Sequence, residues 1–212
     1  MLIQPDWPVP ASIKAFTTTR LSDIDQINVP SEPCRLKQVH GARVIALTDW
    51  QPEVEADASF TREKGKVCVV KTADCLPILL ADKNATVVAA IHAGWRSLAH
   101  GIIDNTIVAL NVDLASLYAW FGPAISQQHF EVGEDVLSAF QENQFDTKKH
   151  FKQTAKNKWH ADLYGLAKQR LNQLGVTHIY GGEYCTYSQP ALFYSYRRGK
   201  ESGRLLSLIW ID

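Results

Sequence analysis

Two side chains able to bind a metal or act as a nucleophile, Cys75 and His92, each close an apolar run in the stretch Lys66 to Trp95, KVCVVKTADCLPILLADKNATVVAAIHAGW. Val67 to Lys71 is a β-branched run that stops at Thr72-Ala73-Asp74-Cys75, and Pro77 opens a second run over Ile78 to Ala81. The pattern predicts Cys75 on a turn between two strands. Asp82-Lys83-Asn84 carries turn chemistry, Thr86 to Ile91 predicts a further buried strand, and His92-Ala93-Gly94-Trp95-Arg96 falls where a helical pattern begins. His92 is therefore expected at a strand-to-helix junction, where backbone N–H groups and the positive end of a helix dipole converge on a spot suited to an anion. A strand, turn and returning strand bring Cys75 and His92 together if the two strand ends are neighbours.

His40 is the third candidate. Of the seven histidines, only His40 and His92 lie near a glycine at a predicted strand end. Two imidazoles and one thiolate suit a borderline-soft Zn²⁺ and leave a fourth position open for chemistry. The spacing matches no short zinc motif, so a second reading stays open: Cys75 as nucleophile with His92 as its base and no metal. His40 taken alone reads as a hydrogen-bonded structural histidine. Asp74 suits either proton transfer or turn termination. Arg96 near the helix start, and Arg197-Arg198 after the aromatic stretch Phe193 to Tyr196, can clamp an anion or make surface ion pairs. The sole methionine is Met1 and no two histidines stand one residue apart. Seven histidines cannot furnish both a type 1 copper site and a copper cluster, so one metal is the ceiling.

The elements that must position these residues are predicted from periodicity. Ile13 to Thr19 reads as a strand, Leu21 to Pro33 as a loop, Arg35 to Leu47 as two strand pieces flanking Gly41, and Val54 to Phe60 as a loop or edge strand. Arg96 to Val112 and Phe130 to Phe140 have helical spacing, with Leu117 to Phe121 a strand between them. Asn143 to Lys158 is polar and reads as a flexible surface segment. Ala161 to Leu174 is the clearest amphipathic helix, closed by Gly175. Val176 to Tyr180, Leu192 to Arg197 and Leu205 to Trp210 complete a set of strands that favours mixed α/β with much antiparallel pairing.

With 212 residues, 46% hydrophobic and 21% charged, the chain is long enough for a sizeable core in one domain; two small domains are the alternative. Lys+Arg and Asp+Glu both number 22, and no basic block offers the footprint of a nucleic-acid or anionic-membrane binder. A small neutral or locally anionic ligand fits better. No leader-like N-terminus or membrane-length apolar run is present, and Cys34, Cys68, Cys75 and Cys185 are scattered without CxxC spacing. A cytoplasmic protein with free thiols is expected.

The motifs KQVHG (Lys37 to Gly41), ADAS (Ala56 to Ser59), TADCLP (Thr72 to Pro77), HAGWR (His92 to Arg96), GPAI (Gly122 to Ile125), FEVG (Phe130 to Gly133), CTY (Cys185 to Tyr187) and SYRR (Ser195 to Arg198) run in order along the chain. Together they resemble the laccase-domain family, also called multicopper polyphenol oxidase-like or peptidoglycan editing factor proteins. The resemblance implies a layered α/β/β/α sandwich with mixed, largely antiparallel sheets, similar to cysteine-hydrolase-like folds. It implies a metal, zinc or alternatively copper, held by His40, Cys75 and His92. It implies phosphorolysis of adenosine, inosine and methylthioadenosine, together with adenosine deamination. On such a site Asp74 is assigned to proton transfer, and Arg20 and Arg96 to phosphate or ribose binding. The alternatives are a Cys75/His92 amidase acting on peptidoglycan precursors and a non-catalytic nucleotide- or partner-binding module. Two departures stand out: the segment Leu21 to Leu36 is shorter than the family pattern, and Ser97 replaces the glycine that follows HAGWR.

Overall fold

The turn over residues 82–87 folds two apolar runs back on each other and sets the middle of the molecule. The computed structural model describes residues 1–23 and 26–212. Its strands are, in chain order, β1 (Leu2–Ile3), β2 (Ile13–Thr18), β3 (Val44–Ala46), β4 (Ala58–Thr61), β5 (Cys68–Thr72), β6 (Leu76–Asp82), β7 (Val88–Ala93), β8 (Leu117–Phe121), β9 (Glu131–Val132), β10 (Phe151–Ala155), β11 (Lys158–Ala161), β12 (His178–Gly181) and β13 (Leu205–Ile211). The α-helices are α1 (Trp95–Ala99), α2 (Ile102–Leu110), α3 (Glu134–Glu142), α4 (Thr147–His150), α5 (Leu163–Leu174) and α6 (Tyr196–Gly199). A six-stranded sheet has the order β12-β8-β6-β7-β4-β3, a four-stranded sheet the order β1-β2-β13-β5, and β9 to β11 form a small third sheet. Among the strand pairs of the described residues, only the outer pairs β12/β8 and β3/β4 are parallel.

Asp82 fixes the central turn by accepting from the N–H groups of Asn84, Thr86 and Val87 and from the Thr86 hydroxyl. Every residue of β6 and β7 is buried, and alternation sends their side chains to two different partners. Ile78, Leu80, Ala89 and Ile91 pack against α2 and α5 through Ile102, Ile103, Leu166 and Leu171. Leu79, Ala81, Val88 and Ala90 face Val70, Ile209 and Ile211 of the other sheet. Each buried Leu or Ile contributes roughly 1.5–3 kcal/mol of hydrophobic free energy, so the central hairpin is anchored from both sides. The result is the expected mixed, largely antiparallel sandwich with helices on the outer face of the larger sheet.

Several elements differ from the sequence reading, each for a local reason. Arg96 to Val112 is two helices rather than one, because Gly101 sits at φ 84 between α1 and α2. Of Arg35 to Leu47 only Val44–Ala46 is a strand, since side chains rather than a ladder hold residues 38–41. Ala58–Thr61 is an inner strand between β7 and β3, with Ser59 buried. Phe130 to Phe140 starts with β9 before α3 begins, and Asn143 to Lys158 contains α4 and most of the β10/β11 hairpin. Leu192 to Arg197 is no strand; the Ser195 hydroxyl accepts from Arg198 N–H and starts α6. The predicted α5 is present, capped by Asp162 and closed by Gly175 at φ 98. The loop predicted over 21–33 includes residues 24 and 25, which lie outside the described residues. Among the described residues no helix is long and apolar enough to cross a membrane.

Candidate metal centre

The register of three neighbouring strands builds the site. β6 and β7 pair Leu76 with Ala93, so Cys75 and Gly94 meet one step beyond the ladder. β4 and β7 pair Ala58 with Ile91, so Asp57 comes opposite His92, whose N–H donates to the Asp57 carbonyl at 2.7 Å. Cys75 lies on the turn between β5 and β6, and His92 precedes α1 by one strand residue and Gly94, as expected from sequence. His40, on the loop before β3, completes the group: the ligand atoms of His40, Cys75 and His92 all lie within 4.8 Å of one another. The two imidazoles meet edge to face, centroids 4.8 Å apart.

Asp57 organises this group, and the sequence reading gave it no role. Its fully buried carboxylate accepts from the backbone N–H groups of Val39 (3.3 Å), His40 (3.0 Å) and Gly41 (2.7 Å), and from His92 Nδ1 at 2.7 Å. A carboxylate only accepts, so the proton of neutral His92 is on Nδ1 and the Nε2 lone pair faces the site. The three N–H bonds also hold His40 at φ 60, a left-handed conformation uncommon for a residue with a side chain. Gln38 adds a second clamp: its amide donates to Lys71 O and accepts from Lys71 N, both at 2.8 Å, tying the His40 loop to β5. A signal for Asp57 was available, because an acid flanked by Ala56, Ala58 and Ser59 sits among residues small enough for an interior strand.

The electrostatics follow from these contacts. Burial works against ionising Asp57, but the His92 imidazole and the Gly41 and Val39 N–H groups outweigh it and hold the carboxyl below its ordinary value. Burial likewise opposes the Cys75 thiolate, yet His40 and His92 draw the thiol down to about 6. Burial also opposes a charged His92, while Asp57 and Cys75 hold it up at about 9. The pair therefore favours thiolate beside imidazolium when no metal is present.

Gly94 supplies the floor. A Cβ there would stand 3.1 Å from His40 Cδ2, 3.2 Å from Cys75 Sγ and 3.5 Å from His92 Nε2, so the absence of a side chain leaves a hollow between the three donors. Two imidazole nitrogens, one low-pKa thiolate and a buried carboxylate behind one of the imidazoles form a donor set that fits Zn²⁺ or copper.

This group opens into a cavity of about 600 Å³ lined by Trp95, Phe130, Tyr196 and a set of basic residues. Of the other predicted site residues, Arg96 lines the cavity and its guanidinium lies over the Trp95 ring at 4.3 Å. Arg20 lies elsewhere, donating to Pro190 O at 2.6 Å and to Glu201 at 3.3 Å. Asp74 lines the cavity at φ 87, and its carboxylate accepts from Thr186 Oγ1 (2.6 Å), Ser195 Oγ (3.1 Å) and Arg197 N (2.7 Å). The last two of these bonds pin the start of α6 against the cavity. Arg198 is spent on the carbonyls of Thr186, Tyr187 and Phe193 and on Glu201, whereas Arg197 lines the cavity while donating to the carbonyls of His129 and Glu131.

Comparison with known proteins matches residues 14–212 to the family model described as multi-copper polyphenol oxidoreductase laccase. The chain is 39% identical to a purine nucleoside phosphorylase of Haemophilus influenzae, covering 99% of both proteins. It is 38% identical to the purine nucleoside phosphorylase YfiH of Escherichia coli, covering 99% of this chain and 98% of that one. The crystal structure of Neisseria meningitidis protein NMB0706 superposes with a TM-score of 0.94 at 36% identity, over 100% of this chain and 99% of that one. The alignment with the H. influenzae protein spans 241 positions against the 212 residues of this chain, so that relative carries additional residues.

Proposed function

The chain belongs to the multi-copper polyphenol oxidoreductase laccase family, and from that premise we propose that it is a metal-dependent purine nucleoside phosphorylase that also deaminates adenosine. The observation that carries this reading is the His40, Cys75 and His92 group at the floor of a cavity whose walls are both aromatic and cationic. Such walls suit an uncharged planar base and a phosphate dianion in one pocket. The names of the relatives, purine nucleoside phosphorylases, support the phosphorylase part of this reading.

In phosphorolysis a phosphate oxygen forms a bond to the ribose C1′ while the C1′–N9 bond breaks and its electron pair leaves with the purine. The residues of this chain divide that work. Trp95, Phe130 and Tyr196 offer ring faces for the base, and the basic residues of the wall hold and orient the phosphate against C1′. Asp57 keeps the Nδ1 proton on His92, fixes the His92 ring and holds the His40 backbone, so the His92 donor needs little reorganisation on binding. Asp74, with three hydrogen bonds already accepted, acts by holding Tyr196 and Arg197 at the wall. His40, Cys75 and His92 would hold a zinc or copper ion, which would supply Lewis-acid activation of water or of a purine substituent, the chemistry deamination requires.

The experiment is hypoxanthine release from inosine by metal-defined protein, with and without phosphate, beside a Cys75→Ala variant. Phosphate-dependent release that the variant loses supports the reading; release independent of phosphate sinks it. One observation favours a second reading. The Cys75 thiolate, the His92 imidazolium and the Asp57 carboxylate form a nucleophile, a proton donor to the leaving group and an orienting carboxylate, the set a cysteine amidase uses on a peptidoglycan precursor. That enzyme would keep its activity after chelation and without phosphate.

A further inference from the structure

We infer that Lys71 and Arg204 form a phosphate subsite in the wall of the cavity. The strand register brings them together. β5 and β13 pair Lys71 with Leu206 and Thr72 with Leu205, so the next step sets Ala73 opposite Arg204. Lys71 and Arg204 therefore share one face of the sheet as diagonal neighbours, with backbones about 7–8 Å apart. Both line the cavity that contains His40, Cys75 and His92.

Two adjacent cations repel, and the structure does not neutralise them. Among the described residues neither has a carboxylate partner. Arg204 donates only to the carbonyls of Glu201, Ser202 and Gly203. Two carboxylates, Asp74 and Glu53, line the cavity, and neither compensates. Asp74 already accepts three hydrogen bonds, and Glu53 acts on Lys37, which is bonded to Glu55. Arg96 and Arg197 line the same wall without an ion pair. Lys71 is also held in place, since its backbone N–H and C=O are both bonded to the Gln38 side chain. Two cations without a carboxylate partner, on one face of the sheet and in the wall of one concave site, match a tetrahedral oxyanion, whose charge removes their repulsion and whose several oxygens can bridge them.

The ligand chemistry is a phosphate group, either inorganic phosphate or the phosphate of a nucleoside 5′-phosphate. The assignment deepens the phosphorylase reading, and its test reads binding apart from turnover. Inorganic phosphate, inosine 5′-monophosphate and inosine are each titrated into native protein, the Lys71→Met/Arg204→Met double variant, and a Lys156→Met charge control at the hairpin tip. Binding is followed by ³¹P line broadening and calorimetry, and folding by melting temperature. A rise of roughly 10- to 100-fold in the phosphate Kd of the double variant alone, from loss of charge-assisted bonds, supports the subsite as one for the free ion. The same rise confined to inosine 5′-monophosphate supports it as one for the ester. Lys71→Arg with Arg204 intact restores binding in either case. Unchanged affinity for both anions in a double variant that melts like the native protein overturns the inference. Inosine turnover with an unchanged phosphate KM and an unchanged inosine 5′-monophosphate Kd in the same variant overturns it while leaving the phosphorylase reading intact. Loss of phosphate binding in a protein that never turns over inosine does the reverse.

Discussion

Gly94→Ala is the substitution whose consequence follows most directly from the geometry. Gly94 has φ −62 and ψ 158, a conformation any residue adopts, so alanine brings no backbone strain. It starts α1 as N-cap, where alanine is worse than glycine by about 0.5–1 kcal/mol. Against this, alanine narrows the unfolded ensemble and recovers about 0.4–1 kcal/mol. The two nearly cancel, and in metal-free protein the exposed His40 side chain can turn away from the new methyl 3.1 Å from its Cδ2. Metal-free Gly94→Ala should therefore melt within a few degrees of the native protein. Metal binding has no such escape, because all three donors must converge on the hollow the methyl now fills. Overpacking of this kind costs about 1–3 kcal/mol, which lowers metal affinity roughly 5- to 150-fold. Competition against a chelator of known affinity reads this directly, with denaturant unfolding of metal-free protein as the control. Native affinity and stoichiometry in a folded Gly94→Ala protein would refute the placement of the metal among His40, Cys75 and His92.

Asp57→Asn should lower metal affinity about 10- to 100-fold, as loss of an orienting carboxylate does, with the fold retained; unchanged affinity would falsify its positioning role. The same variant tests pH dependence. The folded-state pKa of Asp57 is held below its unfolded value, so its contribution to stability is full above the unfolded value near 3.9 and is lost as pH falls through the folded one. Acid unfolding of metal-free native protein should thus be steeper than that of Asp57→Asn. His92 has the opposite sign: held up at about 9, it contributes fully below its unfolded value near 6.5 and loses that contribution as pH rises through about 9. In metal-free protein at pH 7, iodoacetamide should label Cys75, drawn down to about 6, before Cys34 or Cys68, the latter pushed up to about 12 by burial; mass spectrometry showing Cys68 labelled first contradicts the account. Gln38→Leu removes both bonds to the Lys71 backbone and should cost about 1–3 kcal/mol by denaturant titration.

The parts of the site that lie on continuous apolar runs were legible in the sequence. Cys75 and His92 were placed at their strand ends because β6 and β7 are buried on both faces and their ends are punctuated by turn residues. The α5 helix was legible for the same kind of reason, with its cap at Asp162 and its stop at Gly175. Asp57 was not, because its importance depends on the β4/β7 register and on four donors from two separate segments. Arg20 looked available in sequence but is taken up by Pro190 and Glu201, contacts nearly the whole chain away. The residues 192–197 alternate like a strand, yet Ser195 and the Asp74 carboxylate turn them into a cap and a short helix. Side-chain clamps of this kind leave no periodicity to read.

The measurement that bears most directly on the proposed activity is the identity of the sugar product. Metal-loaded protein is incubated with inosine and phosphate, and the mixture is followed by ³¹P NMR. Phosphorolysis predicts a ribose 1-phosphate resonance that grows in step with hypoxanthine and is absent from the Cys75→Ala protein. Free ribose with no new phosphorus resonance, or no consumption of inosine by folded, metal-loaded protein, contradicts it.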